Sequence, residues 1–172
     1  MQDIFIDDQG HGTPLVLVHG FLGSSDMWLP QVKFFKDDFR VISPALPGFG
    51  KSSIVNSCDS IECMAKVILR SLELKKIDKF NLLGHSMGGM IVQEIAKIAG
   101  EKILKLICYG TGARGNIPGR FETIDQSREK LKTNGLEITA YRIAKTWFIE
   151  EDKAKYFYLC EAAGKQTSVE AA

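Results

Sequence analysis

Five residues, Gly84-His85-Ser86-Met87-Gly88, stand between the apolar run Lys79-Phe80-Asn81-Leu82-Leu83 and a helical pattern over 87–99. A serine with glycine two places to either side, at the junction of a strand and a helix, constrains this chain more than any other feature. It predicts strand, sharp turn and helix, with the serine hydroxyl standing clear of the sheet edge. Gly84 and Gly88 carry no Cβ, so the two elements can close on each other around the turn. The free N–H groups and positive dipole end of the helix then lie beside Ser86, where they favour a developing oxyanion. Ser86 is therefore the candidate nucleophile.

The rest of the chain agrees with an α/β architecture. Residues 2–7 alternate like a strand, Pro14 to His19 reads as a short buried strand, and Phe39 to Ser43 as another. A short helix is predicted over 27–37, with Pro30 in its first turn. A Pro/Gly-rich loop covers 44–57, and Asp59 with Glu62 reads as a capping box. The helix after it places Ile61, Ala65, Ile68, Leu69 and Leu72 on one face. Gly100 is the expected C-cap of helix 87–99, and Ile103 to Tyr109 the next strand. Together these predict a mostly parallel sheet with helices on both faces. Residues 110–119 read as a linker, and 120–172 carry only helical patterns, with apolar residues such as Phe121, Ile124 and Leu131.

Composition narrows the function classes. A chain of 172 residues, 45% hydrophobic and 25% charged, suits one globular domain with a small second lobe. A net charge of +1 offers no pull toward nucleic acid or an acidic membrane surface. The acidic start Met1-Gln2-Asp3-Ile4-Phe5-Ile6-Asp7-Asp8 lacks the cationic and apolar regions of a signal peptide. No apolar stretch is long enough to span a bilayer. Cys58, Cys63, Cys108 and Cys160 lack zinc spacing or a C-x-x-C pair and read as thiols in a reducing cytoplasm.

Four stretches, in order, resemble the α/β-hydrolase superfamily, of the kind that includes 3-oxoadipate enol-lactonases and carboxylesterases. Leu17-Val18-His19-Gly20-Phe21-Leu22-Gly23-Ser24 resembles the family's oxyanion loop, and Trp28 and Gln31 match the helix after it. Pro47-Gly48-Phe49-Gly50-Lys51-Ser52 resembles its Pro-Gly-x-Gly-x-Ser loop, with Ala45 where relatives carry a structural Asp. Gly84-His85-Ser86-Met87-Gly88-Gly89 is its nucleophile elbow. The resemblance covers the N-terminal two-thirds of such a protein. It implies a core over 1–113 and the start of a helical cap over 114–172. It also implies an acyl-enzyme at Ser86, an oxyanion hole from the N–H groups of Phe21 and Met87, and a small ester or lactone substrate. No metal and no cofactor are implied.

In this fold the triad runs serine, acid, histidine. The histidines His11, His19 and His85 all precede Ser86, and Gly110, Thr111, Gly112 and Ala113 supply no acid. The expectation is a piece of a longer hydrolase, with strand 103–109 open to self-association through Leu104, Leu106 and Ile107. A competing reading is a ligand-binding or interaction protein on the same fold. Two phosphate-loop look-alikes fail on context. Residues 45–52 do not run into a helix, and no further strand closes a βαβ unit after 110–115.

Overall fold

A computed structural model describes residues 2–113 and 123–172. The linker residues beyond 113, the start of the expected cap at 114, and Phe121 lie outside the described residues, as does the side chain of Ile124. Ten principal elements follow in chain order: β1 (Ile6–Gln9), β2 (Thr13–Val18), α1 (Leu29–Phe35), β3 (Phe39–Pro44), α2 (Ile61–Leu74), β4 (Phe80–His85), α3 (Met87–Ala99), β5 (Ile103–Tyr109), α4 (Ile124–Lys145) and α5 (Phe157–Lys165).

The strands form one sheet in the order β1-β3-β2-β4-β5. Only the β1–β3 pair is antiparallel; β3–β2, β2–β4 and β4–β5 are parallel. The central strand β2 explains the layering. Its Val16 and Val18 point into one core, with Ile42, Phe80 and Leu82 from neighbouring strands and Ile68, Leu72, Ile91 and Ile95 from α2 and α3. Its Leu15 and Leu17 point to the opposite face, against Val41 and against Val32 of α1. A strand with both faces covered must be apolar at every position, which is why β2 reads as an unbroken Leu/Val run. Each of these fully buried aliphatic side chains contributes about 1.5–3 kcal/mol.

Beyond β5 the chain is helical. Gly135 (φ 79°, ψ 172°) divides α4 into two helices. Ala140 and Ile143 of the second pack on Leu22, and Ala144 with Phe157 and Cys160 of α5 packs beside Met27. The amide of Ser168, just after α5, donates to the Gly48 carbonyl at 2.7 Å and ties this layer to the 44–57 loop. Among the described residues, no helix is long and apolar enough to cross a membrane.

Several expectations need correction. The first strand lies at Ile6–Gln9, later than 2–7. Residues 27–37 split into a 3-10 turn, Ser25–Trp28, and α1, with Pro30 in the first turn of α1 as expected. Ser60, one residue after Asp59, caps α2, its side chain accepting from the Cys63 amide. That cap brings Cys58 and Cys63 together, Cα atoms 5.7 Å apart, and they form a disulfide. Two of the four cysteines are therefore not thiols, and the cysteine argument for a reducing cytoplasm falls. Cys108 is free and exposed, and Cys160 free and buried.

The corrected cap is testable. Ser60→Ala should cost about 1 kcal/mol in urea unfolding, the usual value of an N-cap hydroxyl. Asp59→Ala should stay within about 0.5 kcal/mol.

Candidate active site

Ser86 is the N-cap of α3, with φ 54° and ψ −120°. A non-glycine residue at such angles costs about 1–3 kcal/mol and persists only where its surroundings fix it. Here they do. The Ser86 amide donates to the Tyr109 carbonyl at the end of β5 at 3.1 Å, and its own carbonyl accepts from the Gly89 amide at 2.9 Å. The Thr111 hydroxyl donates to that same carbonyl at 2.7 Å. The flanking glycines allow the approach. A Cβ on Gly84 would lie 2.2 Å from the Gly88 carbonyl oxygen, and one on Gly88 2.3 Å from that of Val18.

The segment His19-Gly20-Phe21 runs directly past this turn. A Cβ on Gly20 would meet the Ser86 Cβ at 3.0 Å and its Oγ at 3.5 Å, so the backbone of this loop is the serine's immediate neighbour. Phe21 follows in sequence, and both Phe21 and Met87 pack partly buried against the main core. The start of α3 and the Gly20 backbone thus both adjoin Ser86.

His19 holds that loop in place. It is 1% exposed, and the Leu46 amide donates to its Nε2 at 3.0 Å. An amide can only donate, so Nε2 is the bare nitrogen, and Nδ1–H donates to the Gly20 carbonyl at 2.8 Å. Burial lowers its pKa to about 4, only partly opposed by the Gly20 carbonyl. His19 is thus a neutral structural bridge between the Gly20 loop and the Leu46 loop. Both its nitrogens are engaged, and it is no candidate for a general base.

His85 faces elsewhere. Its ring stacks obliquely with Tyr109, centroids 5.4 Å apart. Both line a cavity of about 250 Å³ whose walls also include Trp28, Phe148, Tyr156 and Cys160, so core and helical layer share it. Burial pushes the His85 imidazole below its ordinary value and the Cys160 thiol up to about 11. His11 is exposed, between Gly10 and Gly12 at the turn joining β1 and β2. Among the described residues, the Ser86 hydroxyl has no hydrogen-bond partner.

The structure brings together Ser86, Met87, Gly84, Gly88, His19, Gly20 and Phe21 around one turn, while His85 lines a cavity whose walls include His19 but not Ser86. Residues 45–52 do not form a phosphate-binding loop. The Ser52 hydroxyl is fully buried and accepts from the Phe5 amide at 2.9 Å, Lys51 pairs with Asp26 at 2.9 Å, and the segment ends in a 3-10 turn, Gly50–Ser52, with no α-helix before Ile61. Sequence reasoning missed the His19–Leu46 bridge and the Thr111 contact. Only Gly89, the extra glycine after the motif, hints at the latter: a Cβ there would lie 2.4 Å from Thr111.

Comparisons with known proteins point the same way. Residues 13–145 match the family described as the alpha/beta hydrolase fold. An (E)-2-((N-methylformamido)methylene)succinate hydrolase from Acinetobacter baylyi is 28% identical over 131 residues, 76% of this chain and 49% of its own length. The chain thus spans about half the length of that curated relative. A thermophilic esterase from Thermogutta terrifontis superposes with a TM-score of 0.76 at 27% identity, over 98% of this chain and 66% of its own. An enol-lactonase from Burkholderia xenovorans LB400 gives a TM-score of 0.83 at 22% identity, over 98% and 66%, which is a likeness of fold.

The neutral His19 carries a pH signature. Its folded pKa of about 4 lies below its ordinary value of 6.5, so the unfolded chain binds the extra proton between the two. Its contribution is complete above the unfolded pKa and declines as pH falls through that window. Between about pH 7 and about pH 5 the loss is about 2 kcal/mol. Urea unfolding of wild type and His19→Gln at both pH values checks this: the pH slope should flatten by about that amount in the variant.

Proposed function

The chain belongs to the alpha/beta hydrolase fold family, and from that premise we propose that it is the part of a serine hydrolase that carries the nucleophile and the oxyanion hole. The observation that supports this most is Ser86 held at φ 54° and ψ −120° between β4 and α3. Such strain is stored where a group must be presented. A binding protein has no use for it.

In the proposed reaction Ser86 Oγ attacks the carbonyl carbon of a small ester or lactone. The carbonyl electron pair moves onto oxygen, and the N–H groups of Met87 and Phe21 receive that oxyanion. One such donor is worth about 3 kcal/mol of transition-state stabilisation. The tetrahedral species collapses to an acyl-enzyme as the C–O bond breaks, and the departing oxygen takes up the proton lost by the serine; it leaves as an alcohol from an ester and stays tethered to the acyl group from a lactone. Water then attacks the acyl carbon, frees the carboxylic acid and restores the hydroxyl. No step calls on a metal or cofactor. In this proposal residues 114–172 are the start of a cap. The likeness to an esterase at 27% identity supports carbonyl substrates of this class.

Proton transfer requires a base. His19 is locked in the fold, His85 is turned toward Tyr109, and His11 lies at the β1–β2 turn. We therefore place the general base and its acid outside these 172 residues. The intact mass of the natural protein, set against its reading frame, is the first check. Fluorophosphonate labelling should map to Ser86 and vanish in Ser86→Ala. In the 172-residue chain alone it should be slower by roughly four orders of magnitude or more than in the longer protein. Equal labelling of wild type and variant would sink the nucleophile. Saturable binding of an ester without turnover in the longer protein would leave the binding-protein reading standing.

The isolated chain also self-associates in this proposal. Among the described residues β5 pairs only with β4, and Leu104, Leu106 and Ile107 are exposed. Unpaired apolar edges recruit other strands. Sedimentation should show concentration-dependent association that Leu106→Lys weakens. A monodisperse monomer at high concentration would refute it.

A further inference from the structure

Thr111 lies two residues past β5 and belongs to neither the strand nor α3. Its hydroxyl nevertheless reaches the carbonyl oxygen of Ser86 at 2.7 Å, closer than its 3.4 Å contact with the Gly112 carbonyl. The fold makes room for it. A Cβ on Gly89 would meet Thr111 Cβ and Cγ2 at 2.4 Å and Oγ1 at 2.6 Å, so the second glycine of the Gly88-Gly89 pair vacates the space that Thr111 fills. The segment is also fastened from behind. Gln93 of α3 donates through Nε2 to the Gly112 carbonyl at 3.3 Å and to that of Gly89 at 2.9 Å.

The carbonyl that Thr111 grips is one end of a peptide group. The other end is the N–H of Met87. A trans peptide is planar, with its C=O and N–H pointing in opposite directions, and this chain has no cis bonds among the described residues. Fixing the Ser86 oxygen therefore fixes the direction of the Met87 N–H. The Gly89 and Met90 amides, which donate to this oxygen at 2.9 Å and 3.4 Å, belong to α3 and move with it. Thr111 is the tie to the sheet side. A hydrogen bond to the carbonyl also polarises the whole peptide group and makes its N–H a stronger donor.

We propose that Thr111 is a positioning residue for the oxyanion hole: its hydroxyl orients and polarises the Ser86–Met87 peptide so that the Met87 N–H meets the developing oxyanion. This rests on the reading of Ser86 as nucleophile. Thr111 touches no reacting atom and acts only through that peptide.

The isosteric pair Thr111→Val and Thr111→Ser tests it. The valine keeps the shape and removes the hydroxyl; the serine keeps the hydroxyl and removes the methyl. Two readouts are taken on each. The first is the Met87 amide resonance in ¹⁵N-labelled protein, which requires no catalysis. It should move in the valine variant and return toward its wild-type position in the serine variant. The second is the rate of fluorophosphonate labelling at Ser86, which should fall about tenfold or more with valine and be largely restored with serine. Urea midpoints accompany both. An unmoved Met87 resonance in a folded Thr111→Val protein would overturn the proposal. So would labelling that falls in step with stability and is not rescued by serine. If Ser86 labels in none of the proteins, the nucleophile reading fails by itself, and the amide resonance still decides whether Thr111 sets the peptide. Should Thr111→Val not fold, the resonance and labelling of Thr111→Ser decide: both must stay near wild type.

Discussion

The structure turns on one unfavourable backbone conformation. Ser86 at φ 54° and ψ −120° gains nothing from its own local energetics, and everything near it is arranged to hold it there. Gly84 and Gly88 let α3 press against β4 and β2 at distances no Cβ would permit. The Tyr109 carbonyl holds the serine's amide, and the Thr111 hydroxyl holds its carbonyl. Each contact is worth about 0.5–1.5 kcal/mol net. Two or three of them, added to the packing of α3, are of the size needed to offset a strain of about 1–3 kcal/mol. A turn paid for this narrowly depends on every neighbour being present.

The second constraint is that the loop facing Ser86 must have a fixed shape without a secondary structure to impose it. His19 supplies the shape. Its two nitrogens have opposite roles, one accepting from Leu46 and one donating to Gly20, which only the neutral ring can satisfy. Burial and hydrogen bonding therefore agree: the ring is neutral because it is buried, and a charged ring would turn Nε2–H against the Leu46 N–H. A lysine or glutamine has no such pair of rigidly opposed atoms. This accounts physically for a neutral, fully engaged histidine beside Ser86.

Much of this was legible in the sequence, and the pattern of what was not is instructive. The elbow was readable because its geometry depends on residues adjacent in the chain, so Gly84, Ser86 and Gly88 announce it together. Helix 87–99 and strand 103–109 matched their predicted bounds, since a Gly cap and an apolar run mark their limits. The helix cap was misplaced by one residue because Asp59 and Ser60 are both good caps, and only the backbone chooses between them. The Cys58–Cys63 pair was missed because its spacing matches no motif; the turn into α2 creates the proximity. The His19–Leu46 and Ser86–Thr111 contacts join residues 27 and 25 positions apart. Each is a single hydrogen bond to a backbone group, and the backbone of residue 46 or 86 carries no mark of its partner in the sequence.

β5 joins the strongest and the weakest parts of the molecule. Its C-terminal end supplies the Tyr109 carbonyl and leads directly to Thr111, so it anchors the elbow. Its outer edge is unpaired among the described residues, and Leu104, Leu106, Ile107 and Tyr109 are exposed along it. A strand bonded on one side opens at lower free energy than a central one. The elbow is therefore pinned on one side by the buried faces of β2 and α3, and on the other by the least protected strand of the sheet. Opening of β5 loosens, through Tyr109 and Thr111, the Ser86–Met87 peptide as well. The order at Ser86 is thus tied to the edge strand β5, through the Tyr109 carbonyl and the Thr111 hydroxyl.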